Sequence, residues 1–383
     1  LQSTLERRRA GGRGNEQRVR TTPRLDETHS EHVPAPTPAA DSNGATPRDA
    51  IPPDDNGWSD DSLLRRVLCP QTLISFGLAA AIVAFMLTRF DLDLRAVLSE
   101  MRHANPLYLG LAFASYYGAF GFRAARWRSL LESAEIRPPD GESLPGLPGL
   151  SAIFVLSWFA NCIVPAKLGD AYRGFLLKQR ARTSFSGALG TIFAERLVDL
   201  ATLAALLVGS GFVVFGRHLP RTITSWMFFA AGLAVLMVAG LLFIVRFRHR
   251  LRALVPTRLR HHYVRIEEGV IGSFGSVPTV LGLTAIIWLL EGVRLYFVSM
   301  AVGAGVSIAA ALFVALLASL LTVVPVTPAG LGFVELGIVG ALTLFGVFHQ
   351  TAASVALLDR VVAYWSVIAV GAVLYLITRW RWR

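Results

Sequence analysis

Ten ionisable side chains lie within or at the edge of apolar stretches of this sequence: Asp170, Arg173, Glu195, Arg196, Asp199, Glu291, Arg294, Glu335, Asp359 and Arg360. Arg123 and Lys167 stand at the boundaries of such stretches. Charges in apolar surroundings are costly, so they mark either a pathway or a partner. Glu195 and Asp199 are spaced i,i+4 and Glu291 and Arg294 i,i+3, so each pair shares a helix face. Two readings follow. In one, acids and arginines pair as structural glue. In the other they line a polar cavity in which planar guanidinium forks meet phosphate oxygens. Acids in such a cavity would neutralise the arginines when it is empty, or carry a coupling proton.

The surrounding elements are those of a membrane protein. Of 383 residues, 53% are hydrophobic and 16% charged, against about 25% charged in soluble domains. The net charge of +11 does not indicate nucleic-acid binding, because the arginines sit mostly at the ends of apolar segments, where anionic lipid surfaces account for them. Residues 1–66 have no apolar period, are rich in proline and charge, and are expected to form a disordered cytoplasmic tail. They hold no apolar region of a signal peptide. Cys69 and Cys162 offer neither a disulfide framework nor a metal spacing.

Nine apolar stretches follow, at about 72–89, 106–123, 149–165, 185–215, 224–246, 276–302, 306–324, 329–347 and 354–378. With the N-terminus inside, nine full crossings would leave Lys167, Arg173, Lys178, Arg180 and Arg182 outside. The seven arginines between Arg246 and Arg265 would lie outside as well. Cytoplasmic loops are the basic ones. The charges are satisfied if 149–165 enters from the cytoplasm and turns back, and if 306–324 with 329–347 turns back from outside. Arg123, Arg126, Arg128 and Arg137 then follow the second span on the inner side, and both termini are cytoplasmic.

The two expected hairpins share a motif. Pro165-Ala166-Lys167-Leu168-Gly169 matches Pro328-Ala329-Gly330-Leu331-Gly332, and Glu195-Arg196-Leu197-Val198 matches Asp359-Arg360-Val361-Val362 at nearly equal distance downstream. Two matched motifs at one spacing indicate a duplication, with repeats at about 105–215 and 276–381. Because the hairpins enter from opposite sides, the repeats are expected to be inverted, a recurring transporter design. Pro and Gly at the tips free backbone amides. A half-helix starting after Gly169 or Gly332 suits an anion; equally, these residues permit a tight turn and close packing. The expected class is thus an all-α polytopic membrane protein with two inverted repeats and re-entrant broken helices.

Other motifs carry less. Asp91-Leu92-Asp93 imitates the acidic triplet of metal-dependent sugar transferases but has no further acidic ligands nearby. His261-His262 falls in the basic loop, where a surface helix over about 257–273 is expected. Gly330-x-Gly332 follows no strand and is not a dinucleotide fingerprint. No metal or cofactor is expected.

Four segments carry a resemblance: residues 161–173 around Pro165–Gly169 with Asp170 and Arg173, then Glu195-Arg196-Leu197-Val198-Asp199, then residues 325–335 ending in Glu335, then Asp359-Arg360. Together they resemble the flippase-like transmembrane domain of the lysylphosphatidylglycerol synthase family, over about residues 70–380. The resemblance implies lipid handling without the soluble synthase domain, and leaves the headgroup open. Its expected ligand is a membrane lipid, anionic or polyprenyl-phosphate-linked, moved across a bacterial cytoplasmic membrane, with a separate lipid-modifying enzyme as a possible partner. A membrane glycosyltransferase and a scaffold recruiting a partner through the tail are the alternatives. The substrate-binding set expected is Lys167, Gly169, Asp170, Arg173, Glu195, Arg196, Asp199, Arg294, Gly330, Gly332, Glu335, Asp359 and Arg360.

Overall fold

In the computed structural model the described residues are 93–139, 142–163, 168–216, 221–322 and 327–381, with scattered helical positions between 77 and 88. The expected tail 1–66, much of the first span, and Pro165, Ala166 and Lys167 lie outside them. Among the described residues the chain is helical, without strands. Helix α1 is Leu94–Arg102 and α2 is Pro106–Ser133. A hairpin of α3 (Leu147–Ile163) and α4 (Leu168–Ala181) follows, then α5 (Phe185–Phe215), α6 (Arg221–Leu254) and α7 (Thr257–Gly272). The second half repeats the order: α8 (Val277–Ala301), a hairpin of α9 (Ile308–Leu321) and α10 (Phe333–Leu344), then α11 (His349–Arg360). A π-helical turn at Val361–Trp365 joins α11 to α12 (Ser366–Arg381).

Starts are set by caps that the sequence displays. Asn105 accepts from the Leu107 N–H at 2.9 Å with Pro106 at the first helical position, Ser184 from Gly187 at 3.2 Å, and Ser307 from Ala310 at 3.3 Å. Lengths then separate helices able to span a bilayer from shorter ones. Phe185–Phe215, Thr224–Leu254, Thr257–Ala301 and His349–Thr378 are long and apolar enough to cross a bilayer. Helices α3, α9 and α10 have 17, 14 and 12 residues. At about 1.5 Å per residue they reach roughly 18–26 Å, short of a hydrocarbon core of about 30 Å. This is an all-α polytopic membrane protein.

The two halves interlock. Helix α2 packs along α8, the most extensive contact in the protein, and each hairpin leans on the closing helix of the other half: α3 against α12, α9 against α5. Glycine makes the first of these close, since a Cβ at Gly371 of α12 would stand 2.5 Å from the Phe159 Cβ. Helix α6 is peripheral, and Phe228, Val235, Leu236 and Leu242 on it are exposed, as a lipid-facing surface requires. Its basic end is tied to α7 by Arg252, whose Nε and Nη2 donate to Glu267 at 2.9 and 3.0 Å. Helix α7 presses on α5 with no room for a side chain: a Cβ on Gly190 would lie 2.3 Å from the Ile266 carbonyl oxygen.

Candidate functional site

The hairpins, α2, α5, α8 and α11 enclose a cavity of 210 Å³. Its polar wall is made by Arg123, Arg126, Asp170, Glu195, Arg196, Asp199, Glu291, Arg294 and Arg360. Its apolar wall includes Tyr116, Phe154, Trp158, Ile287, Trp288, Ala315, Ala318 and Ala363. Drug-sized ligands fill roughly 300–1,000 Å³, so this space suits a headgroup and not a whole lipid.

The first half contributes four arginines and three carboxylates, the second two arginines and three carboxylates. In the first, Arg126 of α2 reaches Glu195 at 2.9 Å and Asp199 by a short bond, and donates to Thr284 of α8 at 3.0 Å. Arg173 of α4 has no exposed surface and lies 3.0 and 3.1 Å from the two Glu195 oxygens. Its guanidinium sits 4.7 Å from the Trp127 ring centre and 4.3 Å from that of Phe154. Arg196 stands among three acids, 3.3 Å from Asp170, 3.4 Å from Glu195 and 3.3 Å from Asp199.

In the second half, Glu291 of α8 is shared by Arg123 at 2.5 Å and Arg294 at 3.1 Å. Arg294 also bonds Asp359 of α11. Arg360 lies 3.7 Å from Glu335 and 4.0 Å from Asp359. The correspondence is detailed: Arg126 holds Glu195 as Arg294 holds Asp359. Arg196 reaches back to Asp170 in the first turn of α4, as Arg360 does to Glu335 in the first turn of α10. Buried charge of this density is stable only when paired, and six guanidiniums against six carboxylates leave no formal charge.

Of the expected site residues, Asp170, Glu195, Arg196, Asp199, Arg294, Gly330 and Arg360 line the cavity. Arg173, Glu335 and Asp359 are buried as their charge partners. Gly169 is the second residue of α4 and Gly332 the N-cap of α10. The Gly169 N–H donates to Asn161 Oδ1 at 2.8 Å, and a Cβ there would stand 2.0 Å from the Ser157 carbonyl oxygen. The Gly332 N–H donates to Glu335 at 2.7 Å, and Gly330 and Gly332 take left-handed φ of +71° and +86°. Both amides are thus occupied by the protein's own acceptors. Lys167 is outside the described residues.

One expectation is corrected. Arg123 and Arg126 do not follow the second span into an inner loop: α2 continues to Ser133 and buries them at 5% and 2% exposure. Trp288, Trp158, Tyr116 and Asn161 were missed; aromatic residues in a membrane helix carry no mark that distinguishes a cavity wall from a lipid-facing one.

Fold and site define the class: a polytopic helical membrane protein in which two similar units close on a charge-balanced cavity. A family model for the lysylphosphatidylglycerol synthase TM region matches residues 72–371, and the chain belongs to that family. A UPF0104 membrane protein of Methanocaldococcus jannaschii is 32% identical over 223 residues, 57% of this chain and 94% of that protein. A UPF0104 membrane protein of Methanothermobacter thermautotrophicus is 28% identical over 239 residues, 56% of this chain and 70% of its own length. The protein named glycosyltransferase AglD in Haloferax volcanii is 27% identical over 348 residues, which span 80% of this chain and 54% of that protein. These three relatives are archaeal.

Proposed function

We propose that this protein translocates an anionic or polyprenyl-phosphate-linked lipid between leaflets of the cytoplasmic membrane, the headgroup passing through the cavity while the chains stay in lipid. The observation that carries this is the state of Arg196. Its side chain is 38% exposed and lines the cavity, and its carboxylate contacts fall at 3.3–3.4 Å. Arg126 and Arg173 are sealed at 2% and 0%. A phosphate entering the cavity takes up the Arg196 fork bidentately, and Asp170 and Asp199 give up part of their hold. On exit the carboxylates close again, so neither the empty nor the loaded site leaves a bare guanidinium. The matching Arg360–Glu335 pair repeats the arrangement in the other half, as alternating access between two similar units requires.

The test is leaflet accessibility in proteoliposomes with fluorescent phosphatidylglycerol and a short-chain polyprenyl-phosphate sugar, beside an Arg196→Gln/Arg360→Gln double variant. Movement by the wild type that the variant loses supports the proposal; folded wild type that moves neither lipid overturns it. The second reading, a glycosyltransferase acting on a lipid-linked sugar, is favoured by the name of the Haloferax relative. It requires product from donor and acceptor with this protein alone, abolished by substitution of one carboxylate.

A further inference from the structure

Most donors around the cavity are spent on carboxylates; Nε of Arg126, Arg196 and Arg360, Nη1 of Arg123 and the indole N–H of Trp288 are buried without a hydrogen-bond acceptor, and the last two converge on one helix face around Glu291. Arg123 is 5% exposed, and its Nη2 is committed to Glu291 at 2.5 Å. The guanidinium is fixed 4.6 Å from the Trp158 ring centre and 5.3 Å from that of Phe120. Its Nη1 is buried and has no acceptor. Trp288, one turn before Glu291 on the same face of α8, has a buried indole Nε1–H that likewise has no acceptor. Both residues line the cavity. Orphaned buried donors are unfavourable and uncommon, and here one is on the arginine held by Glu291 and the other one turn from Glu291 on α8. Both need an acceptor, and beside a guanidinium an anionic oxygen binds more strongly than a neutral one.

We propose that Arg123 Nη1 and Trp288 Nε1 form a fixed seat for one non-bridging oxygen of a lipid phosphodiester. The inference rests on the translocation reading and deepens it: Arg196 is the grip that exchanges partners, and the Arg123–Trp288 pair selects the phosphodiester. Trp158, against Arg123, and Ile287, next to Trp288 on α8, belong to the same cavity lining and give the glycerol and first methylenes an apolar wall. An uncharged headgroup leaves Arg123 Nη1 without a charged acceptor and gains little from the seat.

The experiment uses the full chain in maltoside, labelled with 15N-tryptophan. Among its eight tryptophans, the Trp288 indole signal is the one lost in Trp288→Phe, which keeps an apolar ring. Short-chain phosphatidylglycerol should shift that signal; short-chain diacylglycerol should not. Trp288→Phe should weaken phosphatidylglycerol binding by about tenfold, the worth of one hydrogen bond to a charged acceptor, and leave diacylglycerol uptake unchanged. Arg123→Gln is the second variant. It leaves Glu291 paired with Arg294 at 3.1 Å, so the fold keeps its charge partner while the seat is lost. Glycerol phosphate without chains should shift the same signal only at higher concentration; an equal response overturns the assignment to a lipid. Phosphatidylglycerol that binds both variants like the wild type, with the indole signal unmoved, overturns the seat and leaves translocation standing. Folded wild type that binds no phosphatidylglycerol removes both.

Discussion

Glu195→Gln offers the sharpest perturbation of the cavity wall. The Glu195 carboxylate is 1% exposed and serves Arg126 at 2.9 Å, Arg173 at 3.0 Å and Arg196 at 3.4 Å. Without its charge, Arg126 still has Asp199 and Arg196 still has Asp170 and Asp199. Arg173, fully buried, has no other carboxylate among the described residues. Removing one partner of a buried pair costs roughly 3–5 kcal/mol. The isosteric amide creates no void and retains an acceptor oxygen, and the Trp127 and Phe154 rings still face Arg173, so the loss belongs near about 3 kcal/mol. Reversible unfolding in mixed maltoside and dodecyl sulfate micelles, followed by far-UV circular dichroism, measures it. Arg173→Met leaves Glu195 with Arg126 and Arg196 and should cost less alone, and Arg173→Met/Glu195→Gln should recover at least about 1–2 kcal/mol of the summed loss, because the guanidinium that Glu195→Gln strands is gone. A Glu195→Gln loss below about 1 kcal/mol, or strict additivity in the cycle, would refute the pairing argument.

Four further outcomes follow from the geometry. Arg196→Gln removes a half-exposed side chain and should lower stability by less than Arg126→Gln, which takes a sealed guanidinium from Glu195 and Asp199 and should cost roughly 3–5 kcal/mol; the same micelle titration compares them. Gly169→Ala places a Cβ 2.0 Å from the Ser157 carbonyl oxygen, so the α3–α4 hairpin must open, at about 1–3 kcal/mol or more, and amide exchange in residues 157–175 should quicken. Gly190→Ala meets the Ile266 carbonyl oxygen at 2.3 Å and the Gly269 Cα at 2.9 Å, both backbone; spin labels on α5 and α7 should report a wider spacing. Tyr364→Phe deletes the bond from the hydroxyl to the Cys162 carbonyl at 3.0 Å, worth about 1 kcal/mol, and in a Cys69→Ser background maleimide should then reach Cys162 faster.

What could be read in advance divides along a physical line. The paired motifs at Glu195-Arg196 and Asp359-Arg360 were visible, because a duplicated segment repeats in type and spacing. Arg126 was not. An arginine 20 residues into a helix that begins at Pro106 looks the same in one dimension whether it enters the headgroups or turns to Asp199, and only the α2–α8 packing decides. Cross-packing of α3 on α12 and α9 on α5 is a matter of three-dimensional closure that no local pattern encodes. The stripe Gly187–Gly190 reads as a weakness of α5 until Gly269 is seen against it. Trp288 stayed hidden because its orphaned N–H is a property of what surrounds it.

The balance of six arginines and six carboxylates also has a consequence for how the chain is made. Arg126 meets Asp199 73 residues later, Arg294 meets Asp359 after 65, and Arg123 must wait 168 residues for Glu291. At roughly 5–20 residues per second of synthesis, the Arg123 guanidinium spends about 10–30 s without its counter-charge. During that time α2 has reason to linger at the lipid surface or in the shelter of the insertion machinery. Its final burial is then timed by the ribosome reaching α8, and the first half of the molecule is completed only by the arrival of the second.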